Sequence, residues 1–215
     1  MTTVISHAGG SQSLYLHHND LPDGLELGKF VAIDTETMGL VHGRDRLCLV
    51  QLSAGDGVCH LVQIQKGEKE SAPNLKKLLT DPEVTKIFHF ARFDVAALYQ
   101  HFNVLTEPIY CTKIASKLVR TYTDRHGLKE LCKELLGVDI SKQEQTSDWG
   151  APSLRDEQLK YAASDVLYLH QLKAILDQRL LREERTDLAK KCFNFLPTRA
   201  MIDLMSGEEF DIFHH

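Results

Sequence analysis

The chain has 215 residues, 43% apolar and 26% charged, which suits a globular protein long enough to bury one substantial core. No window approaches the roughly 18 apolar residues of a membrane helix, and "MTTVISHAGGSQSLYLHH" lacks the basic start and apolar block of a signal peptide, so a cytoplasmic protein is expected. A formal net charge of −5 weighs against a broad basic surface that tracks long nucleic acid and favours a short or locally gripped one.

In chain order, the first clear element is a strand, Phe30 to Ile33, that runs straight into the acids Asp34 and Glu36. "RLCLVQLSAGDGVCHLVQI" follows as two apolar runs split by Gly55-Asp56-Gly57, a strong hairpin signal. A short helix over "APNLKKLLTD" starts near Pro73. "TKIFHF" reads as a short buried strand, and "RFDVAALYQHF" is helical by spacing, with Asp94 in its first turn. From about residue 111 the helical period dominates: "TKIASKLVR", then "GLKELCKELLG" closed by Gly137, then a long helix from about Ser153 to Leu180. Ser153, ahead of Asp156 and Glu157, gives that helix an approximate capping pattern. A last helical region runs through "RTDLAKKCFNFLPTRAMIDLM" and is expected to break at Pro197.

Strands first and helices interleaved later predict an α/β layer fold, a mixed sheet flanked by helices. One domain over 1–215 is expected, with a core of about 28–180 and a helical extension over 181–215. Five cysteines (48, 59, 111, 132 and 192), odd in number and without a C-x-x-C pair, argue against a disulfide framework or a structural zinc site.

Three acidic stations carry the chemistry. Side chains at i and i+2 of a strand share a face, so Asp34 and Glu36 converge on one point; taken alone, they fit equally a strand-end turn with solvated acids. Asp94 is explained as well by the helix dipole as by function. Tyr161 and Asp165, at i and i+4 of a helix, lie one above the other beside the stripe Ala162, Val166, Leu169 and Leu172. An unpaired charge at that core edge is costly. Together, Asp34, Glu36, Asp94 and Asp165 offer an all-oxygen set that suits Mg²⁺ or Mn²⁺. Two such ions about 3.5–4 Å apart form a clamp for in-line displacement at phosphorus.

The order D-x-E, then D, then Y-x-x-x-D resembles the DEDD superfamily of 3′–5′ exonucleases in its tyrosine-bearing branch (DEDDy). A histidine branch would carry His five residues before the last Asp, where this chain has Lys160. "TSDWGAPSLRDEQLKYAASDVLYLHQL" is similar to ribonuclease D. About 35 residues follow position 180, too few for that family's helical HRDC domain, so tRNA trimming is not the expected task. The compact length with "DTETMGL", "RDRLCLVQLS", "KIFHFARFD", "CTKIASKL", "RTYTDRHGLKELC" and "FLPTRA" resembles the nanoRNase C type, short ribonuclease D relatives of alphaproteobacteria.

That resemblance implies a ribonuclease H-like fold and hydrolysis of RNA from the 3′ end to 5′-monophosphates. It also implies a preference for dinucleotides and a ring-like homo-octamer; tolerance of short DNA stays open. On these residues it implies one metal on Asp34, Glu36 and Asp165, and a second bridged by Asp34 and held by Asp94. Tyr161 would position the nucleophile. Leu40 falls where related enzymes wedge a leucine between two bases, with Met38 and Gly39 shaping the same loop and Thr35 a further substrate-binding candidate; the alternative is a leucine capping the core. Arg120, Arg125, His126 and Lys129 are expected to cap the 5′-phosphate or to form a solvated or intersubunit loop. His89 is a packed strand residue or a substrate contact. The competing functions are a general exonuclease on longer RNA or DNA and a binding module without activity. Retention of all four acids and the tyrosine argues against the latter.

Overall fold

The computed structural model describes residues 3–6, 13–67, 71–141, 143–206 and 212. Among the described residues seven strands form one mixed sheet: β1 (Thr3–Ser6), β2 (Ser13–His18), β3 (Phe30–Thr37), β4 (Leu47–Ser53), β5 (Val58–Gln63), β6 (Thr85–Phe88) and β7 (Ile109–Cys111). Their order is β1-β2-β5-β4-β3-β6-β7. The stretch β3-β4-β5 is an antiparallel meander, while β2 joins β5, β6 joins β3 and β7 joins β6 in parallel. All seven residues of β4 are buried, as its unbroken apolar run requires of a central strand. The predicted hairpin is present, with Gly55 and Gly57 at φ 83° and 85°, values open to glycine at no steric cost. β1, β2 and β7 were not legible: β2 ends in two histidines, and β7 is three residues long.

The helices are α1 (Pro73–Thr80), α2 (Ala91–Phe102), α3 (Thr112–Val119), α4 (Leu128–Leu131), α5 (Asp156–Leu167), α6 (Leu169–Arg182) and α7 (Thr186–Ser206). Three expectations need correction. The long helix is two, broken at Tyr168 (φ −102°, ψ −7°), and its cap is Arg155 rather than Ser153. Gln158 explains the shift: its Oε1 accepts from the Arg155 N–H at 3.0 Å while its Nε2 donates to the Asp148 carbonyl at 3.2 Å. The helix start is thereby tied to the preceding loop. The segment after Gly127 begins as α4 and widens into a π-helical turn, Cys132–Leu136, before Gly137 ends it at φ 71°. α7 runs unbroken through Pro197, because Phe193, Leu196 and Ala200 bury both halves of it in the core. The tail "EEFDIFHH" lies outside the described residues except for Ile212. Among the described residues no helix is long and apolar enough to cross a membrane.

α5 packs on β3, β4 and β5, and α2 packs on β3, β6 and β7. Each delivers an acid to the C-terminal end of β3. Away from that end, His17 on β2 and His60 on β5 form a buried pair, Nε2 to Nδ1 at 3.0 Å with stacked rings. Burial and its neighbour push His17 down to about 4, and burial lowers His60 as well. A histidine neutral when folded but protonated when unfolded contributes stability above its unfolded pKa, near 6.5, that is lost as pH falls toward 4. His17→Gln is therefore expected to lose less melting temperature than the wild type between pH 7 and 5. Equal losses would remove this pair from the acid sensitivity.

Candidate active site

The site starts from the pleat of β3. Asp34 and Glu36 point to one face, where α5 brings Asp165, and carboxylate oxygens of the three lie within 4.8 Å of one another. Thr35 points to the other face, and its buried hydroxyl donates to Asp94 Oδ1 at 2.7 Å, which fixes the α2 carboxylate beside the strand end. The register of β3 against β4 shifts after Glu36, where Glu36 faces Leu49 but Thr37 faces Leu47. A bulge at this point ends regular pairing and aims the following loop, residues 38–40, over the acids. Gln51, fully buried opposite Asp34, donates Nε2 to Asp34 Oδ2 at 3.4 Å.

The electrostatics are severe. Burial first, then Asp34, Asp165 and Asp94, push Glu36 up to about 10. Burial raises Asp34 to about 7. Asp94 and Asp165 are raised well above the usual carboxylate range by burial and by Asp34. No Lys or Arg pairs with the four acids among the described residues. Crowded carboxylates, Asp94 buried and the other three half-buried, without a cationic side chain fit a hard divalent cation, which satisfies oxygen donors and neutralises their repulsion. Tyr161, one turn before Asp165, is half-buried 6.1 Å from the Trp149 ring (centroid to centroid), and burial with Asp165, Glu36 and Asp34 drives its hydroxyl far above the ordinary value.

These groups floor a cavity of about 630 Å³. Thr35, Met38, Gly39, Leu40 and His89 also line it, with Leu40 74% and Met38 58% exposed, available to a ligand rather than capping the core. Gly39 is needed by its own loop, since a Cβ there would collide with the Asp45 carboxylate, which accepts from the Val41 N–H at 3.0 Å. His89 Nδ1 lies 2.9 Å from Thr112 Oγ1, whose hydroxyl donates to the Phe88 carbonyl; burial pushes the imidazole down to about 3, so it is neutral.

The basic segment divides differently from expectation. The Arg120 side chain is wholly buried, ion-paired with Glu134 and donating to Ser116 Oγ at 3.0 Å and to the Arg125 carbonyl at 2.7 Å. It folds the loop and, wholly buried, is out of reach of a phosphate. His126 is buried against Ser116 Oγ at 2.9 Å, and Arg125 is exposed; neither lines the cavity. The cationic groups that do are Lys129, 3.3 Å from Asp139, and Lys113 at the start of α3. Lys113 was missed because the three-residue strand before it gave no signal. Gln51, Phe90 and Trp149 were missed as site residues because each sits in a run that reads as core or cap.

A ribonuclease H-like sheet with four carboxylates and a tyrosine at one strand end defines a metal-dependent phosphodiesterase centre. A 3′–5′ exonuclease family model matches residues 18–181. The structure of Brucella melitensis NrnC bound to pGG is 59% identical, with a TM-score of 0.91 over 95% of this chain and 100% of that one. The same protein with bound Mg²⁺ superposes at a TM-score of 0.89 over 94% of this chain and 98% of that one, also at 59% identity. Ribonuclease D of Gluconacetobacter diazotrophicus is 39% identical over 74% of this chain. The chain spans about two fifths of that curated relative's length (39%). This chain belongs to the 3′–5′ exonuclease family, in its ribonuclease D and NrnC group.

Proposed function

We propose that this chain hydrolyses very short RNA from the 3′ end, with 5′-phosphorylated dinucleotides as preferred substrates, and that two divalent ions, Mg²⁺ or Mn²⁺, serve as cofactors. The observation that carries the reading is the carboxylate cluster Asp34, Glu36 and Asp165 flooring a cavity of about 630 Å³. That volume falls in the roughly 300–1,000 Å³ range of sites that take one small ligand. The likeness to a protein captured with pGG and with Mg²⁺ supports the same assignment.

Asp34, Glu36 and Asp165 would hold one ion, with Asp34 and Asp94 holding the second. Such a pair supplies positive charge at the attacking and leaving oxygens of an in-line displacement. Thr35 and Gln51 keep Asp94 and Asp34 in place through their hydrogen bonds. Tyr161 orients the attacking water by hydrogen bonding. Leu40 and Met38 offer apolar surface to the bases, and Lys113 and Lys129 supply positive charge along the wall. A homo-oligomer belongs to the same reading. Leu188, Phe195, Met201 and Met205 leave exposed apolar surface along α7 that suits a subunit contact.

A series of 5′-phosphorylated RNAs from two to about seven nucleotides, with Mg²⁺ or Mn²⁺, tests the proposal. The dimer is expected to be cleaved at least about tenfold faster than the longest chain, a difference of about 1.4 kcal/mol in the barrier. Equal or faster cleavage of longer RNA or DNA would make this a general exonuclease. No cleavage with either metal would leave a binding module.

A further inference from the structure

Phe90 is held in a conformation its side chain disfavours, at the one place where its ring reaches the reaction cavity. It immediately precedes α2 with φ 71° and ψ 43°, in the left-handed region. For a bulky residue this is a genuine outlier that persists only where the surroundings enforce it. Asn or Gly would take these angles with less strain, and Asn103 does so at the other end of the same helix. The ring does not repay the strain by burial, because the residue is 44% exposed while lining the cavity with Asp94 and Leu40. It is not loose either: Lys113 Nζ sits 4.0 Å from its centroid. An ammonium at that distance pins an aromatic face and polarises it. Next to it, Phe93 is itself braced by the His42 ring, centroids 4.9 Å apart.

An exposed, pinned and strained aromatic on the wall of a nucleotide-sized cavity has the attributes of a stacking surface. Base–aromatic stacking tolerates any base, and it strengthens with the area of the base. We propose that Phe90, held by Lys113, is a stacking platform that grips one base of the dinucleotide and gives the enzyme a preference for purines at that position. This rests on the dinucleotide reading and adds to it a specificity-determining residue on the wall formed by the start of α2, separate from the 38–40 loop. Phe90 touches the base and not the reacting phosphorus, so its contribution belongs to binding.

The test uses the full chain and four variants, Phe90→Leu, Phe90→Trp, Phe90→Asn and Lys113→Met, with pGG, pUU and a dinucleotide carrying 2-aminopurine. Phe90→Leu is expected to raise KM for pGG by about 10- to 100-fold with kcat within about threefold, the range that loss of one base stack produces. Its KM for pUU should rise less, so that the purine preference shrinks. Phe90→Trp should retain wild-type KM. Quenching of 2-aminopurine on binding should be present in the wild type and in Phe90→Trp and absent in Phe90→Leu. Lys113→Met should weaken binding in the wild type and have a smaller effect in Phe90→Leu, as coupled residues do. Phe90→Asn should raise the melting temperature by about 2–4 °C while losing affinity, because it releases the backbone strain. A Phe90 that served only packing would lower the melting temperature in both Leu and Asn variants and leave KM and the fluorescence signal unchanged; that result overturns the platform. Loss of dinucleotide hydrolysis by the wild type itself would instead refute the substrate reading, whatever Phe90 does.

Discussion

Asp34→Asn is expected to lower pGG cleavage at saturating Mg²⁺ by about 10³-fold or more, roughly 4 kcal/mol in the barrier, and to raise the melting temperature of the metal-free protein. Both effects follow from the place of Asp34 in the cluster. It is the carboxylate whose charge raises each of Glu36, Asp94 and Asp165. As the group that would serve both ions, it has no substitute among its neighbours. Without metal, the same centrality makes it the main source of repulsion in a buried site. Asparagine keeps the shape and an acceptor for Gln51 Nε2, so the change removes charge and little else. Active sites that store such repulsion commonly gain stability when it is deleted.

The pH dependence has a definite sign. Asp34 at about 7 and Glu36 at about 10 hold protons in the folded, metal-free protein that the unfolded chain has released above pH 4 to 5. The folded state binds more protons, so stability falls as pH rises above about 4 to 5, until about 7 for the Asp34 contribution and until about 10 for that of Glu36. A divalent ion displaces those protons, so its stabilising effect grows with pH. Melting curves in EDTA and in excess Mg²⁺ between pH 6.5 and 8.5 should therefore diverge as pH rises, and Asp34→Asn should flatten both trends. An Asp34→Asn protein with normal turnover, or with a lower melting temperature in EDTA, would remove Asp34 from the centre of the cluster.

What the sequence disclosed was the part written in period and order. β3 with its i, i+2 acids, the Gly55–Gly57 hairpin and the Tyr161–Asp165 pair are local patterns, and local sterics fix their geometry. Their convergence was inferable because four carboxylates offer an all-oxygen set that suits a shared divalent cation. What stayed hidden depends on contacts between distant segments. Arg120 looked like a phosphate ligand because a basic residue in a loop is usually exposed, yet Glu134, Ser116 and the Arg125 carbonyl draw it inside. The break at Tyr168 and the cap at Arg155 come from tertiary ties, Gln158 to Asp148 among them. Phe90 looked like the tail of an apolar strand; its left-handed backbone turns it outward, and no period in the sequence encodes that turn.

Tyr161→Phe is expected to lower kcat by about 10²- to 10³-fold, within the usual range for a positioned proton-handling side chain, while KM for pGG and the Mg²⁺ affinity stay within about twofold. The phenol belongs to α5 and stands one turn from Asp165, so its removal takes one hydroxyl from the cavity and no carboxylate from the metal set. The ring that remains still packs beside Trp149, so the melting temperature should move little. Burial and three neighbouring carboxylates push the hydroxyl above its ordinary value in the metal-free site, which disfavours a tyrosinate base and points to hydrogen bonding as its means of action. The pH–rate profile separates these roles. If Tyr161 orients water, the Tyr161→Phe substitution lowers the profile uniformly and leaves its limbs where they were. If Tyr161 acted as a base, the wild type would gain rate toward high pH along a limb that the variant lacks. A uniform drop with unchanged metal affinity would assign the residue to the nucleophile; a loss of metal affinity would place it instead as a support for Asp165.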